Sequence, residues 1–85
     1  MASNYAGFNV NYETTAGVLT SVGAGVSVAC RKAGAGSDLA ESPLTTDSNG
    51  AIASGSFAST TAGDIVHFRV ENFQGMAASV SQTTT

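Results

Sequence analysis

Apolar and polar positions alternate along this chain in short bursts, separated by clusters of Gly, Ser, Thr and Asp. Phe8-Asn9-Val10-Asn11-Tyr12 alternates strictly, as a half-buried strand does, with Phe8, Val10 and Tyr12 on one face. Residues 17–22 form a weaker candidate. Gly23-Ala24-Gly25 then leads into residues 26–31, where Val26, Val28 and Cys30 share the inward face. The clearest alternation is IVHFRVENF, residues 65–73: Val66, Phe68 and Val70 lie on one face, and Ile65, His67, Arg69 and Glu71 on the other, solvated or partner-facing side. No window joins an apolar stripe at helical spacing to capping residues, so helix is the poorer reading.

Turn chemistry divides the rest. Asp47-Ser48-Asn49-Gly50 is the strongest reversal signal, because Asn-Gly tolerates positive φ and an Asp carboxylate can accept from turn amides. Before it, residues 42–46 hold the sole proline, Pro43, which suits an edge or a strand start because it donates nothing to a ladder. After it, residues 51–57 return as a strand. Ile52 and Phe57 are five apart and cannot share one face of a regular strand, so a bulge near Gly55 is predicted to turn both inward. Thr60-Thr61-Ala62-Gly63-Asp64 and residues 72–75 reverse the chain again, residues 76–82 form the last strand, and the Gly-rich residues 33–38 read as a loop. This order predicts an all-β fold, an Ig-like antiparallel β-sandwich of six to seven short strands. It occupies residues 1–85 as a single domain, with residues 1–7 as an N-terminal contact arm and residues 83–85 as a tail.

Composition sharpens that picture. More than half of the 85 residues are Ala, Gly, Ser or Thr, so the core must be thin, as between two small sheets. Only 11% of residues are charged and the net charge is −3, so Arg31, Lys32 and Arg69 cannot form the basic stripe that nucleic acid demands. No nucleic-acid or membrane partner is expected: no apolar run approaches the ~18 residues that span a bilayer. Low charge gives weak protection against association, which favours flanks buried on partners. Cys30 is the one cysteine, excluding an internal disulfide, and on the Val face it reads as a small buried hydrophobe. The opening MASNYAGFN lacks a basic segment followed by an apolar run, so no signal peptide is expected.

Residues 25–28 (GVSV), Thr45-Thr46-Asp47-Ser48-Asn49-Gly50, Ser59-Thr60-Thr61-Ala62-Gly63-Asp64 and residues 66–70 (VHFRV) resemble bacterial Ig-like domains of the invasin type. The resemblance covers about residues 22–80, and its most specific piece is the pair TTDSNG and STTAGD flanking one strand. It implies a seven-stranded sandwich without a disulfide, used as a rigid spacer or display module in bacterial adhesins and tailed-phage virion proteins. Carboxypeptidase regulatory-like, transthyretin-like sandwiches share the GVSV…TTDxxG logic, but their usual Gly-x-Tyr before the third strand is absent here. Adhesins carry such domains in tandem behind a signal peptide, whereas this chain shows one copy and no signal.

Candidate chemistry is sparse. His67 is the only histidine and has no recognisable nucleophile partner, and no GxSxG occurs, so no enzyme is expected. Asp47, Asn49 and Asp64 could gather oxygens for calcium, but turn chemistry already explains two of them. Lys32 is the only lysine, and its place beside a Gly loop argues against a buried isopeptide. Gly23-Ala24-Gly25 and Gly34-Ala35-Gly36 lack the Lys-Ser/Thr of a phosphate loop. No metal or cofactor is expected. Tyr5, outside the alternating run, Phe8, His67 and Arg69 are the candidate partner-contact residues, with Phe8 and Tyr12 also fitting the core of the first strand. The expected function is a non-enzymatic structural or accessory protein of a phage virion, decorating the capsid or forming part of the tail. It would be made in the host cytoplasm and localised to the virion, in a multimeric assembly with other capsid or tail proteins. The alternative is a surface- or glycan-binding Ig-like module of an adhesin or host-recognition protein, disfavoured by the absence of Trp and the N-terminal position of both Tyr.

Overall fold

Alternation this short leaves no room for long elements, and the computed structural model, which describes residues 2–85, consists of ten short antiparallel strands with no helix among the described residues. They are β1 Ser3–Tyr5, β2 Phe8–Asn9, β3 Asn11–Thr15, β4 Val18–Ser21, β5 Ser27–Lys32, β6 Leu44–Thr45, β7 Ala51–Ile52, β8 Gly55–Phe57, β9 Ile65–Phe73 and β10 Met76–Thr83. The all-β expectation holds. The strand count exceeds six to seven because two expected strands, residues 8–12 and 51–57, each divide in two, and β1 adds a strand in the segment expected to be an arm.

One layer is a four-stranded sheet in the order β10-β9-β5-β6. Its centre is the β5–β9 pair, with Cys30 opposite Phe68 and Arg31 opposite His67. Val66, Phe68 and Val70 are buried while Ile65, His67 and Glu71 are exposed, as the alternation of β9 requires. The β9–β10 hairpin turns on Gln74 and Gly75, both at positive φ (53° and 81°), the pairing whose twist matches the flanking strands. Met76 faces Phe73 but Ala78 faces Val70, so β9 carries one extra residue here. That bulge lets Val70 and Phe73, three apart, both turn toward the core.

The other layer is built on the N-terminal segment. Ser3 pairs with Phe57, Tyr5 with Gly55 and Phe8 with Ile52, and the Val10 N–H donates to the Gly50 carbonyl at 2.8 Å. The pairing thus keeps one register from β1 to Val10 and lapses only around Gly7, where a Cβ would stand 2.9 Å from the Ile52 carbonyl oxygen. The Val10 carbonyl then accepts from the Val22 N–H, and the chain continues as β3 against β4. Val10 is the joint at which one extended segment changes partners.

This pairing places the expected contact arm and tail within the strands of the fold. Of residues 1–7, the described residues 2–7 belong to the body of the fold: β1 lies on β8, and Asn4 exchanges two backbone hydrogen bonds with Thr85, at 2.9 and 3.0 Å. Met1 lies outside the described residues. Residues 83–85 belong to the body as well. Thr83 ends β10, and Thr84 is buried with its hydroxyl 3.1 Å from the carbonyls of both Thr61 and Asp64. The Ser3 and Thr60 hydroxyls bond each other beneath this junction. Unpaired main-chain groups at both termini satisfy one another, and that is why such polar ends are held.

The turn expectations are met in detail. The Asp47 carboxylate accepts from the Asn49 and Ala51 amides at 2.8 and 3.0 Å, and Gly50 sits at φ 71°. Ile52 and Phe57 are both in the core, although the strand breaks between β7 and β8 instead of forming a bulge. The buried cluster is Val28, Cys30, Ile52, Phe57, Val66, Phe68 and Val70. Phe57 and Phe68 are its two fully buried rings.

Candidate interaction surface

The four candidate contact residues separate into two pairs on opposite sides of β9. Tyr5 and Phe8 face inward. The Tyr5 ring stacks on Phe57 with centroids 4.6 Å apart, and Phe8 meets Phe68 edge-on at 5.0 Å. Partial burial pushes the Tyr5 hydroxyl above its ordinary pKa, assisted by nearby Cys30 and Glu41. Tyr5 is therefore part of the packing, because β1 carries its ring over Phe57; the absence of alternation in residues 1–7 concealed this. Gly55 makes room for it: a Cβ there would stand 2.7 Å from the Tyr5 hydroxyl.

His67 and Arg69 face outward on the four-stranded sheet. His67 lies between Arg31 and Ser81, and Arg69 between Ala29 and Ser79. The sequence reading missed Asp38 entirely. The Gly-rich loop brings it back over this face, where it accepts from Arg31 at 2.9 Å and Arg69 at 3.4 Å. Hydrogen bonds from Arg31 hold the Asp38 carboxyl below its usual range, with Arg69 adding to the effect. Lys32 sits 3.5 Å from Asp64, so all three basic side chains are ion-paired, leaving no free basic patch among the described residues. A salt bridge this exposed contributes little stability but fixes the loop over the sheet.

The most distinctive surface is apolar, and it follows from unequal layers. The N-terminal layer is too narrow to cover β10, so a cleft opens between that strand and residues 8–13. Its inner part, about 170 Å³, is lined by Phe8, Val10, Val28, Phe68, Val70 and Val80. It continues into a second hollow of about 350 Å³ bounded by Tyr12, Val22, Phe73 and Met76. Tyr12 and Phe73 touch at 4.9 Å where the β3–β4 and β9–β10 hairpins meet. Nearby Val18 and Leu19 on β4 are exposed, Leu19 at 70%. The clue in the sequence was the absence of charge from residues 76–85.

Cys30 is fully buried and burial pushes its thiol up to about 11, so it stays protonated. The Asp64 carboxylate accepts from the Thr61 amide at 2.8 Å and so serves its own turn, as Asp47 does. Among the described residues, no three His, Cys, Asp or Glu side chains gather as metal ligands, and no helix is long and apolar enough to cross a membrane. Comparison of the chain with protein-family models, with curated proteins and with solved structures finds no match.

Proposed function

We propose that this chain is a non-enzymatic structural module that works by protein–protein contact, an Ig-like accessory component of a phage virion on the capsid or tail. The observation that carries the reading is the apolar cleft with its overhanging strand, in a body whose cations are already engaged in ion pairs. Surfaces of this kind gain affinity by excluding water from apolar area, and repetition on a lattice lets weak contacts suffice. The resemblance of TTDSNG and STTAGD to invasin-type domains supports the class of module and its use as a spacer or display unit. Both tyrosines are half-buried against phenylalanines, which leaves neither ring free on both faces for stacking on a sugar.

Mixing the purified protein with tailed-phage particles lacking it, followed by sedimentation, tests the reading. Saturable co-sedimentation with capsids or tails is the expected result. A protein that stays in the supernatant yet binds an immobilised glycan array would overturn it in favour of a ligand-binding module.

A further inference from the structure

β10 is the last strand of its sheet, and among the described residues its outer edge meets no strand, the Asn4–Thr85 pair lying just past its end. Edges in native proteins are guarded by charge, proline, brevity or cover. β10 has none of these: MAASVSQT runs eight residues, about 27 Å at the usual rise, without a charged side chain or a proline. Met76, Ala78 and Val80 point inward over the cleft and still remain exposed, Met76 at 43% and Val80 at 54%.

We propose that this edge pairs with β10 of a second copy of the chain, antiparallel about a two-fold axis at Ala78. Three features select a like copy as the occupant. The first is register. The two-residue turn makes Met76 the residue bonded across the hairpin to Phe73, and alternation then directs the main-chain groups of Ala77, Ser79 and Ser81 to the open edge. An axis at Ala78 lets Ala77 and Ser79 exchange hydrogen bonds with Ser79 and Ala77 of the other copy. The second is cover: the same axis sets Met76 against Val80 twice, so the large exposed side chains of β10 shield each other on the cleft side.

The third is charge. On the outward face, Arg69 lies beside Ser79, and Glu71 and Asn72 span the position beside Ala77. Around that spot is a shallow depression lined by Arg69, Glu71, Ala77 and Ser79. Pairing about Ala78 puts Arg69 of one copy in line with Glu71 of the other on the same face, across three strand spacings or about 14 Å between main chains; Arg69 keeps its contact with Asp38 at 3.4 Å, so the attraction acts across the seam without a direct ion pair. Glu71 has no ion pair among the described residues. Elsewhere two copies of net charge −3 repel; along this seam the charges match. The resulting interface is isologous and joins two four-stranded sheets into one of eight.

Light scattering and sedimentation velocity on the free protein over a wide concentration range test the pairing without any particle, so its failure is separable from failure of the virion reading. The expected result is a monomer–dimer equilibrium. Val80→Lys, at a position 54% exposed in the monomer, should raise the apparent dissociation constant at least tenfold while leaving the far-UV spectrum unchanged, with melting matching the wild type only at concentrations low enough for both to be monomeric. Under mild copper-phenanthroline oxidation, Ala78→Cys should cross-link into a covalent dimer more readily than Ser79→Cys, with the wild type as control because Cys30 is sealed. A strict monomer at every concentration, a dimer indifferent to Val80→Lys, or a cross-link favouring position 79 overturns the proposal.

Discussion

Phe68→Ala is the sharpest test of how the two layers are held together. Phe68 is 1% exposed and lies opposite Cys30 on one side and Val80 on the other. Its ring centroid stands 5.0 Å from Phe8, 5.7 Å from Tyr5 and 6.0 Å from Phe57, so one side chain joins β9 to β1, β2 and β8. Truncating a buried phenylalanine typically costs 3–5 kcal/mol in transfer and cavity terms. Against this, Phe68 lines the floor of the cleft, so the vacated space opens to solvent and part of the cavity penalty is relieved. The balance is about 3–4 kcal/mol, a large share of the 5–15 kcal/mol that holds a domain folded. Urea unfolding followed by far-UV circular dichroism should show the midpoint falling by at least about 1 M, given slopes of about 1–3 kcal/mol/M. A loss below about 1 kcal/mol would refute the claim that this ring clamps the layers.

Three further outcomes follow from buried groups. Cys30 should ignore a thiol reagent at pH 8 in the native protein and react fully in denaturant; because its folded pKa, about 11, lies above its ordinary value of 9.0, and that of Tyr5 is raised too, stability should fall as pH climbs from about 9 towards 11. Rapid native labelling would show that the core is not sealed at β5. Thr84→Val removes a buried hydroxyl from the Thr61 and Asp64 carbonyls and should cost about 1–2 kcal/mol, seen as a Tm lowered by about 5–10 °C; an unchanged Tm would mean that the C-terminal residues are not tied down.

The parts of this fold written into local chemistry were readable. β9 was legible because burial on one face imposes a period of two, and nothing interrupts it before Glu71. The Asp47–Gly50 reversal was legible because its hydrogen bonds lie within the turn itself. What escaped was set by partners distant in sequence. Tyr5 joins the packing because Phe57 and Gly55 are presented to it, and Thr84 is buried because Thr61 and Asp64 receive it; neither residue stands in an alternating run. Val10 looks like any inward residue, and only the arrival of Gly50 and Val22 makes it a change of partner. At the candidate surface, the outward placement of His67 and Arg69 was legible from β9, whereas Asp38 reaches Arg69 through a loop whose path no periodicity records. Residues 76–82 read correctly as a strand, but their bareness depends on the width of the opposite layer.

The double hydrogen bond between Asn4 and Thr85 gives the molecule a polarity. Asn4 and Thr85 lie side by side, next to the start of β9, while the Ala16–Gly17 and Gln74–Gly75 tips lie at the opposite pole of a body 42 Å long. A neighbour fused to either end would attach at the same pole and leave the two hairpin tips free. Asn4 and Thr85 are also near enough that a short linker could join the segments they belong to, with the chain reopened between Gly34 and Gly36 and every strand pairing preserved. The order in which the strands are synthesised would then be separable from the architecture they build.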